Sequence, residues 1–389
     1  MNILIELVHP AHFYYYRDTI SNLKRNGHNV IVAIITKDLL ENVVQQSDLD
    51  YVNICPISHK KWGKIGVAYD MLVRDFRMLK LAIRHRIDLI TGSTIETTHI
   101  GWLTRKPNIN IGEDDAHIVP MYIKSIAPFV DIRITPYSCN NGIIENKSVH
   151  FPGFWKLAYL HPNVFSPEIG LLAKYKIDHL KPYFLIRFAK LNAHHDKGVK
   201  GISTEVAQQI IDILSPHGQI FITSERELEP QFEQYRLHIN PLDMHHVMAF
   251  ASLYIGDSQT MAAESGVLGV PFVRFNDFVG RIGYLRELED KYELGYGIHA
   301  TPLEADSPIR RADGCVQPSG VEALYKRVEQ LVTMDAEKRR VLYQQRRMKM
   351  LSEKIDCAKF LTWFIENYPR SAKEVKGKST DDEFWLQFK

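Results

Sequence analysis

The stretch Ser252–Asn276, SLYIGDSQTMAAESGVLGVPFVRFN, holds a strand, a sharp turn, a helix and a second strand within 25 residues. Leu253, Tyr254 and Ile255 form an apolar run that stops at Gly256-Asp257-Ser258. Asp or Ser at such a stop is a suitable N-cap, because its side-chain oxygen accepts from the free N–H groups of a helix's first turn. Thr260, Ala262 and Ala263 lead to Glu264, and the helix is predicted to end near Gly269, with Pro271 preventing continuation and Pro271–Phe275 forming the next strand. In such a βαβ unit the helix N-terminus faces the carboxyl end of a parallel strand and offers unpaired donors and positive dipole to a diphosphate. Glu264 lies about one and a half turns in, and its Cα–Cβ bond tilts back toward that end, which suits it to accept from a ribose diol. The other reading is a buried βαβ whose Glu264 is a solvated helix residue.

Outward from this unit the same alternation recurs. Ile3–Val8 is apolar apart from Glu6, as a strand buried on both faces should be, and His9-Pro10-Ala11-His12 breaks it. A helix over Phe13–Arg25, ended by Asn26-Gly27, precedes a strand at Asn29–Ile35. Further helices are predicted at Lys37–Val44, Ile65–Ile83, after Thr94 and at Met121–Ile126, with strands near Tyr51–Ile54, Leu89–Ile90, Asn108–Ile111 and Asp131–Thr135. Residues 138–182, with Pro152, Pro162, Pro167 and Pro182, read as a connection. A second series follows: strand Tyr183–Arg187, helix Ser203–Leu214, strand Gln219–Ile222, helix Asp243–Ala251, the opening unit, and helix Ile282–Tyr292. From Val321 the chain turns helical and charged, and Ser371–Asp382 reads as frayed. The expectation is an α/β protein of two Rossmann-like domains, 1–165 and 166–350, facing each other across a cleft in the GT-B manner, with a helical tail over 351–389.

Composition narrows the class. The 389 residues are 45% hydrophobic and 24% charged, ordinary globular values, and 48 basic against 46 acidic residues leave a net charge of +2. That balance argues against a general nucleic-acid binder, which needs a clustered positive field. The four cysteines, Cys55, Cys139, Cys315 and Cys357, form no CxxC pair, so neither a disulfide framework nor a zinc knuckle is indicated. With no basic n-region and no apolar run approaching 18 residues, the expected location is the cytoplasm.

Several turns carry candidate chemistry. His9 and His12 follow the first strand, where open α/β sheets bind ligands, and serve either as donors or a base, or as caps of strand and helix. Tyr14, Tyr15 and Tyr16 either pack the helix or stack on a sugar. Gly92-Ser93-Thr94 ends another strand. Glu113-Asp114-Asp115-Ala116-His117 gathers three carboxylates and an imidazole, which tune one another's pKa as a base requires, or simply cap the next helix. A Mg²⁺ site is the rival, but adjacent Asp-Asp is not the spaced pair of metal-dependent transferases, so no metal is assigned. Arg187 offers a fork for a diphosphate or a sugar carboxylate, or forms a surface ion pair. Asn276–Arg281 follows the next strand and either touches the donor sugar, as its resemblance to GT-B enzymes implies, or is a loop anchored by Phe278 in the core with Arg281 in solvent. The helix Ile65–Ile83 puts Ile65, Tyr69, Leu72, Val73, Phe76, Leu79 and Ile83 on one face, read as core, with Arg74, Arg77, Lys80 and Arg84 along its flank, read as a solvated edge or, if the acceptor is membrane-linked, as a peripheral contact with anionic lipid at the inner membrane face.

The Asp257-Ser258 turn, Glu264 and the following Gly-Val-Leu-Gly-Val-Pro resemble the nucleotide segment of UDP-N-acetylglucosamine 2-epimerases and related GT-B glycosyltransferases. The resemblance implies that Ser258, Gln259 and Thr260 hold the diphosphate and Glu264 the uridine ribose, although the family usually has Gly-Gly where Gln259-Thr260 stands. Across most of the chain, His9-Pro10-Ala11-His12, Asp114-Asp115-Ala116-His117 and Phe278-Val279-Gly280-Arg281-Ile282-Gly283-Tyr284 resemble a bacterial and archaeal family of predicted GT-B glycosyltransferases. The epimerases carry a catalytic aspartate where Ser93 stands. They also carry a histidine after the strand that here reads Leu185-Ile186-Arg187-Phe188, with His194 and His195 only further on.

The expected function is a metal-independent glycosyltransferase without cofactor, using a UDP-sugar and a glycan or lipid-linked acceptor of surface polysaccharide or glycolipid synthesis. Asp115, Asp114, His12 and His117 are the candidate bases, and His9, Ser93, Thr94 and Glu113 stand on the acceptor side. Ser258, Gln259, Thr260, Glu264, Arg187, Arg281 and Asp257 are the donor residues. A nucleotide-sugar 2-epimerase and a nucleotide-sugar-binding protein without catalysis are the alternatives, and the oligomeric state is open.

Overall fold

Strand and helix alternate from the first residue, and the strands collect into two sheets in which every pairing is parallel. The structure, a computed structural model, describes residues 1–37, 39–59, 62–189 and 201–389. His194 and His195 lie outside them. The chain forms two compact units, Met1–Val164 with Lys354–Lys389, and Phe165–Glu353.

In the first unit the strands are β1 (Asn2–Leu7), β2 (Asn29–Ile35), β3 (Val52–Cys55), β4 (Leu89–Gly92), β5 (Asn108–Ile111), β6 (Ile132–Pro136) and β7 (Ser148–Phe151), in the order β3-β2-β1-β4-β5-β6-β7. The order reverses between β1 and β4, which lie in register with Glu6 opposite Gly92. Ligands of open parallel sheets bind at such a switch point, beyond the carboxyl ends of the strands. Leu4, Ala33, Ile54 and Ile90 form the core under one face of the sheet.

The second unit holds β8 (Tyr183–Phe188), β9 (Gln219–Ser224), β10 (Leu253–Gly256), β11 (Phe272–Phe275) and β12 (Gly295–Ile298), ordered β12-β11-β10-β8-β9. Its switch point lies between β8 and β10, where Arg187 is level with Gly256. Both sheets have Rossmann-like topology.

Three local expectations change. The helix Gly63–Arg84 turns its predicted core face outward: Ile65, Tyr69, Leu72, Phe76 and Ile83 are exposed, and Met78, Leu81 and Ala82 face the core instead. Polar anchors set that rotation, since Asp70 accepts from His59 N–H at 2.8 Å and Arg74 pairs with buried Glu96 at 2.6 Å. The final residues are not frayed. A helix at Cys357–Glu366 lies along Pro10–Arg25, with Asn22 donating to Thr362 at 3.3 Å and Asn26 to Glu366 at 2.7 Å. Helix Arg370–Val375 follows, and Trp385 and Phe388 bury their rings against Phe360. Each buried ring of the Phe type stabilises by about 1.5–3 kcal/mol, enough to hold a terminal segment. Finally, β7 arises within the stretch that reads as a connection, and β12 where the sequence reading assigns no element.

Candidate functional site

In the second unit, Ser258 adopts an extended backbone and N-caps the helix Gln259–Val267, accepting from Met261 N–H at 3.4 Å. The first-turn N–H groups at Gln259 and Thr260 have no partner within the helix itself. Gly256 permits the tight approach beneath them, because a Cβ there would lie 2.5 Å from the Tyr254 hydroxyl and 2.9 Å from the Arg187 carbonyl oxygen. Glu264 is not solvated: it is buried, with Oε1 3.2 Å from Nε2 of buried His245. Arg187 reaches Glu225 at 2.5 Å, an ion pair at the neighbouring ends of β8 and β9, while its Nε is buried without a partner.

Asp257 is engaged by backbone. Its Oδ1 accepts from Ala189 N–H at 2.6 Å and its Oδ2 from Ile202 N–H at 3.5 Å, and burial pushes its pKa up to about 6. Asn276 donates to the Asp257 carbonyl at 2.8 Å and fixes the next turn by accepting from Phe278 N–H. In that turn Phe278 is buried and Arg281 exposed, and Asp277 accepts from Thr301 N–H at 2.8 Å. His299, beyond β12, donates from Nδ1 to the Thr301 carbonyl at 2.7 Å, and its Nε2 is buried without a partner. The carboxyl ends of β8, β10, β11 and β12 thus bring together Arg187, Ser258, Asn276 and His299. His299 and His245 escaped the sequence reading. The position of His299 directly after an apolar strand, and the pair His245-His246 ahead of the β10 strand, were the available signals.

In the first unit both histidines of the first turn act as acceptors. His9 Nδ1 takes Ala11 N–H at 3.2 Å and caps the helix Pro10–Arg25, and His12 Nδ1 takes Val8 N–H at 3.4 Å. Burial, with His9 and Lys37 nearby, holds the His12 pKa well below its usual range. Its imidazole is therefore neutral with the proton on Nε2, a donor rather than a base. Thr94 caps the helix Ile95–Thr104, accepting from Thr97 N–H at 3.3 Å, and also donates to the carboxyl of Glu6. Glu6 is wholly buried; burial, with the Glu96 carboxylate adding to it, raises its pKa to about 8, so it carries a proton at neutral pH.

The acidic loop after β5 is divided. Glu113 is buried and held by Lys156, with Tyr15 donating to its Oε1 at 2.6 Å, so it faces a cation rather than only its acidic neighbours. Asp115 is buried and accepts from Asn140 N–H at 2.8 Å, Asp114 is half-buried, and His117 is exposed. Tyr14, Tyr15 and Tyr16 are all buried and pack the helix. At this edge of the sheet four buried polar atoms from successive strand ends have no partner: Glu6 Oε1, Ser93 Oγ, Glu113 Oε2 and Ser138 Oγ. Lys156 was missed, although a lone lysine inside the aromatic run 154–160 signals a buried cation. Among the described residues no group of His, Cys, Asp and Glu could hold a metal ion, and no helix is long and apolar enough to cross a membrane.

Solved structures share this fold. The chain superposes on the UDP-GlcNAc 2-epimerase from Neisseria meningitidis bound to UDP-GlcNAc with a TM-score of 0.61 at 11% identity, over 94% of this chain and 100% of that one. The MnaA protein of S. aureus, solved with UDP, gives 0.62 at 10% identity, over 97% and 98%. The spinosyn rhamnosyltransferase SpnG, solved with spinosyn aglycone, gives 0.59 at 13% identity, over 94% and 100%. No family model and no curated protein sequence matches the chain. The fold is the one common to GT-B glycosyltransferases and UDP-GlcNAc 2-epimerases.

Proposed function

We propose that the chain is an enzyme that transfers a sugar from a UDP-sugar to a hydroxyl of a glycan or lipid-linked acceptor, without metal or cofactor, in the cytoplasm. What supports the reading is the second unit's switch point, where Arg187 stands level with Gly256 on adjacent strands, the serine-capped helix N-terminus follows Gly256, and buried Glu264 lies on that helix. Free N–H donors and a guanidinium suit a diphosphate, and a buried carboxylate suits a diol. Ser258, Gln259, Thr260 and Arg187 would hold the diphosphate and Glu264 the ribose. Asp257 would act through the backbone that it ties, and Arg281 from solvent onto the bound sugar. The unpartnered atoms of Glu6, Ser93, Glu113 and Ser138 suit a hydroxyl-rich acceptor on the first unit, with His9 and His12 donating from Nε2. The base would be a carboxylate of the Asp114-Asp115 pair, with His117 at the loop's exposed end.

Thermal shift against UDP, GDP and CMP tests the nucleotide, because a ligand of the native state raises apparent stability. Glu264→Gln is expected to weaken UDP by about 1–3 kcal/mol, the worth of hydrogen bonds to a charged group. Calorimetry showing unchanged affinity would remove Glu264 from the ribose site.

Transfer is favoured over epimerisation because Ser93 replaces the catalytic aspartate of the epimerases and residues 185–188 hold no histidine. A hydroxyl is a poor base for abstracting a carbon-bound proton. Incubation with UDP-N-acetylglucosamine in deuterated water is therefore expected to leave the sugar C2 proton unexchanged by NMR, and deuterium at C2 would establish the epimerase instead.

A further inference from the structure

We propose that the outer face of the helix Gly63–Arg84, together with the end of the adjacent helix Ile95–Thr104, docks on an anionic lipid bilayer. Trp62 is 63% exposed, Ile65 79%, Leu72 69%, Phe76 68% and Ile83 67%. From Trp62 to Phe76 these residues and half-exposed Tyr69 recur at spacings of three and four, so they stand in one stripe along the helix. Trp102 and Leu103 extend the stripe, 61% and 56% exposed, across a groove that Phe76, Leu79 and Phe129 also line. Single exposed apolar side chains need no explanation, whereas a continuous row of this length marks a binding surface.

The charges say what covers it. Both acids of the helix are tied down, Asp70 on His59 at 2.7 Å and Asp75 on His99 at 3.1 Å, and Arg74 is spent on Glu96. Among the described side chains, the charged groups left exposed on the helix are Arg77, Lys80 and Arg84; Arg86 and Arg105 are exposed just beyond the ends of this helix and its neighbour, and the exposed acid Asp88 accepts from Asn2 N–H at 2.8 Å. A second copy packed face to face would bring these cations together with no acid of the helix to answer them. A bilayer with anionic headgroups answers both features. The rings and aliphatic side chains enter the acyl boundary, and the long basic side chains reach the phosphates. This surface lies on the first unit and stands independently of the nucleotide reading.

The test floats the full chain with vesicles of phosphatidylcholine alone and of phosphatidylcholine with phosphatidylglycerol, at low and high salt. Binding is expected to the anionic vesicles, to weaken with salt, and to shift the tryptophan emission to the blue, because Trp62 and Trp102 are exposed while Trp155 and Trp385 are already buried. Leu72→Ser with Phe76→Ser should cut partitioning by about tenfold or more, and Lys80→Gln and Arg84→Gln by about fivefold each. All four positions are outward, and an unchanged melting temperature checks that the variants fold. Failure to float with anionic vesicles, equal binding to neutral ones, or indifference to these substitutions overturns the proposal. So does a concentration-dependent dimer in sedimentation velocity that Leu72→Ser with Phe76→Ser abolishes and that does not bind vesicles, since the face would then join two copies of the chain.

Discussion

Alanine at Asp114 is expected to lower turnover by about 10²–10⁴-fold with little change in melting temperature, and alanine at Asp115 to lower both. The first figure is the usual worth of a positioned general base. Asp114 is half-buried beside strand ends whose unpartnered polar atoms suit an acceptor hydroxyl, so its carboxylate combines access with position. Asp115 also fixes its loop. Its Oδ1 takes Asn140 N–H at 2.8 Å, and Ala116 N–H returns a bond to the Asn140 carbonyl at 2.8 Å. Losing the carboxylate strands a buried donor at a cost of about 1–3 kcal/mol, or roughly 2–4 °C per kcal/mol in a unit of this size. UDP affinity should survive both changes, since the proposed nucleotide residues belong to the second unit. Release of UDP with water as acceptor gives an assay that needs no knowledge of the glycan. His12→Ala is expected to be milder, because a neutral imidazole protonated on Nε2 donates a hydrogen bond without taking the proton. If Asp114, Asp115, His117 and His12 can each be replaced without loss of turnover, the base lies elsewhere.

The parts of the fold legible in the sequence are those where local rules and tertiary packing agree. The β10 strand, the Ser258 cap and the turn at Gly269, which has φ of +77°, follow from side chains whose conformational demands are strong and local. β12 was not legible because Gly295-Tyr296-Gly297-Ile298 has a loop's composition. Its glycines answer neighbours distant in sequence: a Cβ at Gly295 would lie 2.3 Å from the Phe272 ring, and one at Gly297 2.7 Å from the Glu289 carboxylate. The helix Gly63–Arg84 misled for a related reason. Apolar periodicity finds the greasy face but not its direction, and here Asp70 and Arg74 spend their polar groups inward.

The candidate site divides in the same way. Turns at strand ends were found by position alone, whereas the partners that give their side chains a state were not. Glu6 stood out as the lone carboxyl in an apolar strand, yet its protonated state comes first from burial and then from the Glu96 carboxylate, ninety residues on, against the opposing hydrogen bond from Thr94. His245 beside Glu264, on the short helix Met244–Met248, and Lys156 beside Glu113, in the turn before the helix Leu157–Leu160, likewise come from segments whose own sequence gives no reason to approach those carboxylates.

Lys156→Met is expected to destabilise the first unit by about 3–5 kcal/mol, a drop in melting temperature on the order of 10 °C. The lysine is wholly buried, its ammonium donates to the Glu113 carboxylate, and the Tyr15 hydroxyl lies 3.3 Å from its Nζ. Removing the cation leaves Glu113 buried with only the Tyr15 hydroxyl at 2.6 Å to answer its charge, and a buried carboxylate without a counter-ion costs far more than the methylene contacts that methionine retains. Glu113→Gln should be costly for the mirror reason, since it leaves an ammonium in the core. The double variant Glu113→Gln with Lys156→Met removes both charges, and because a buried pair rarely outweighs its own desolvation, it should recover most of the loss. The sum of the single effects should therefore exceed the double by more than about 2 kcal/mol, a coupling expected of groups in contact or in one hydrogen-bond network. Thermal and urea melts of the full chain measure the cycle. Additive effects, or a double variant no more stable than the worse single one, would mean that the pair does not hold the carboxylate of Glu113 at the strand end.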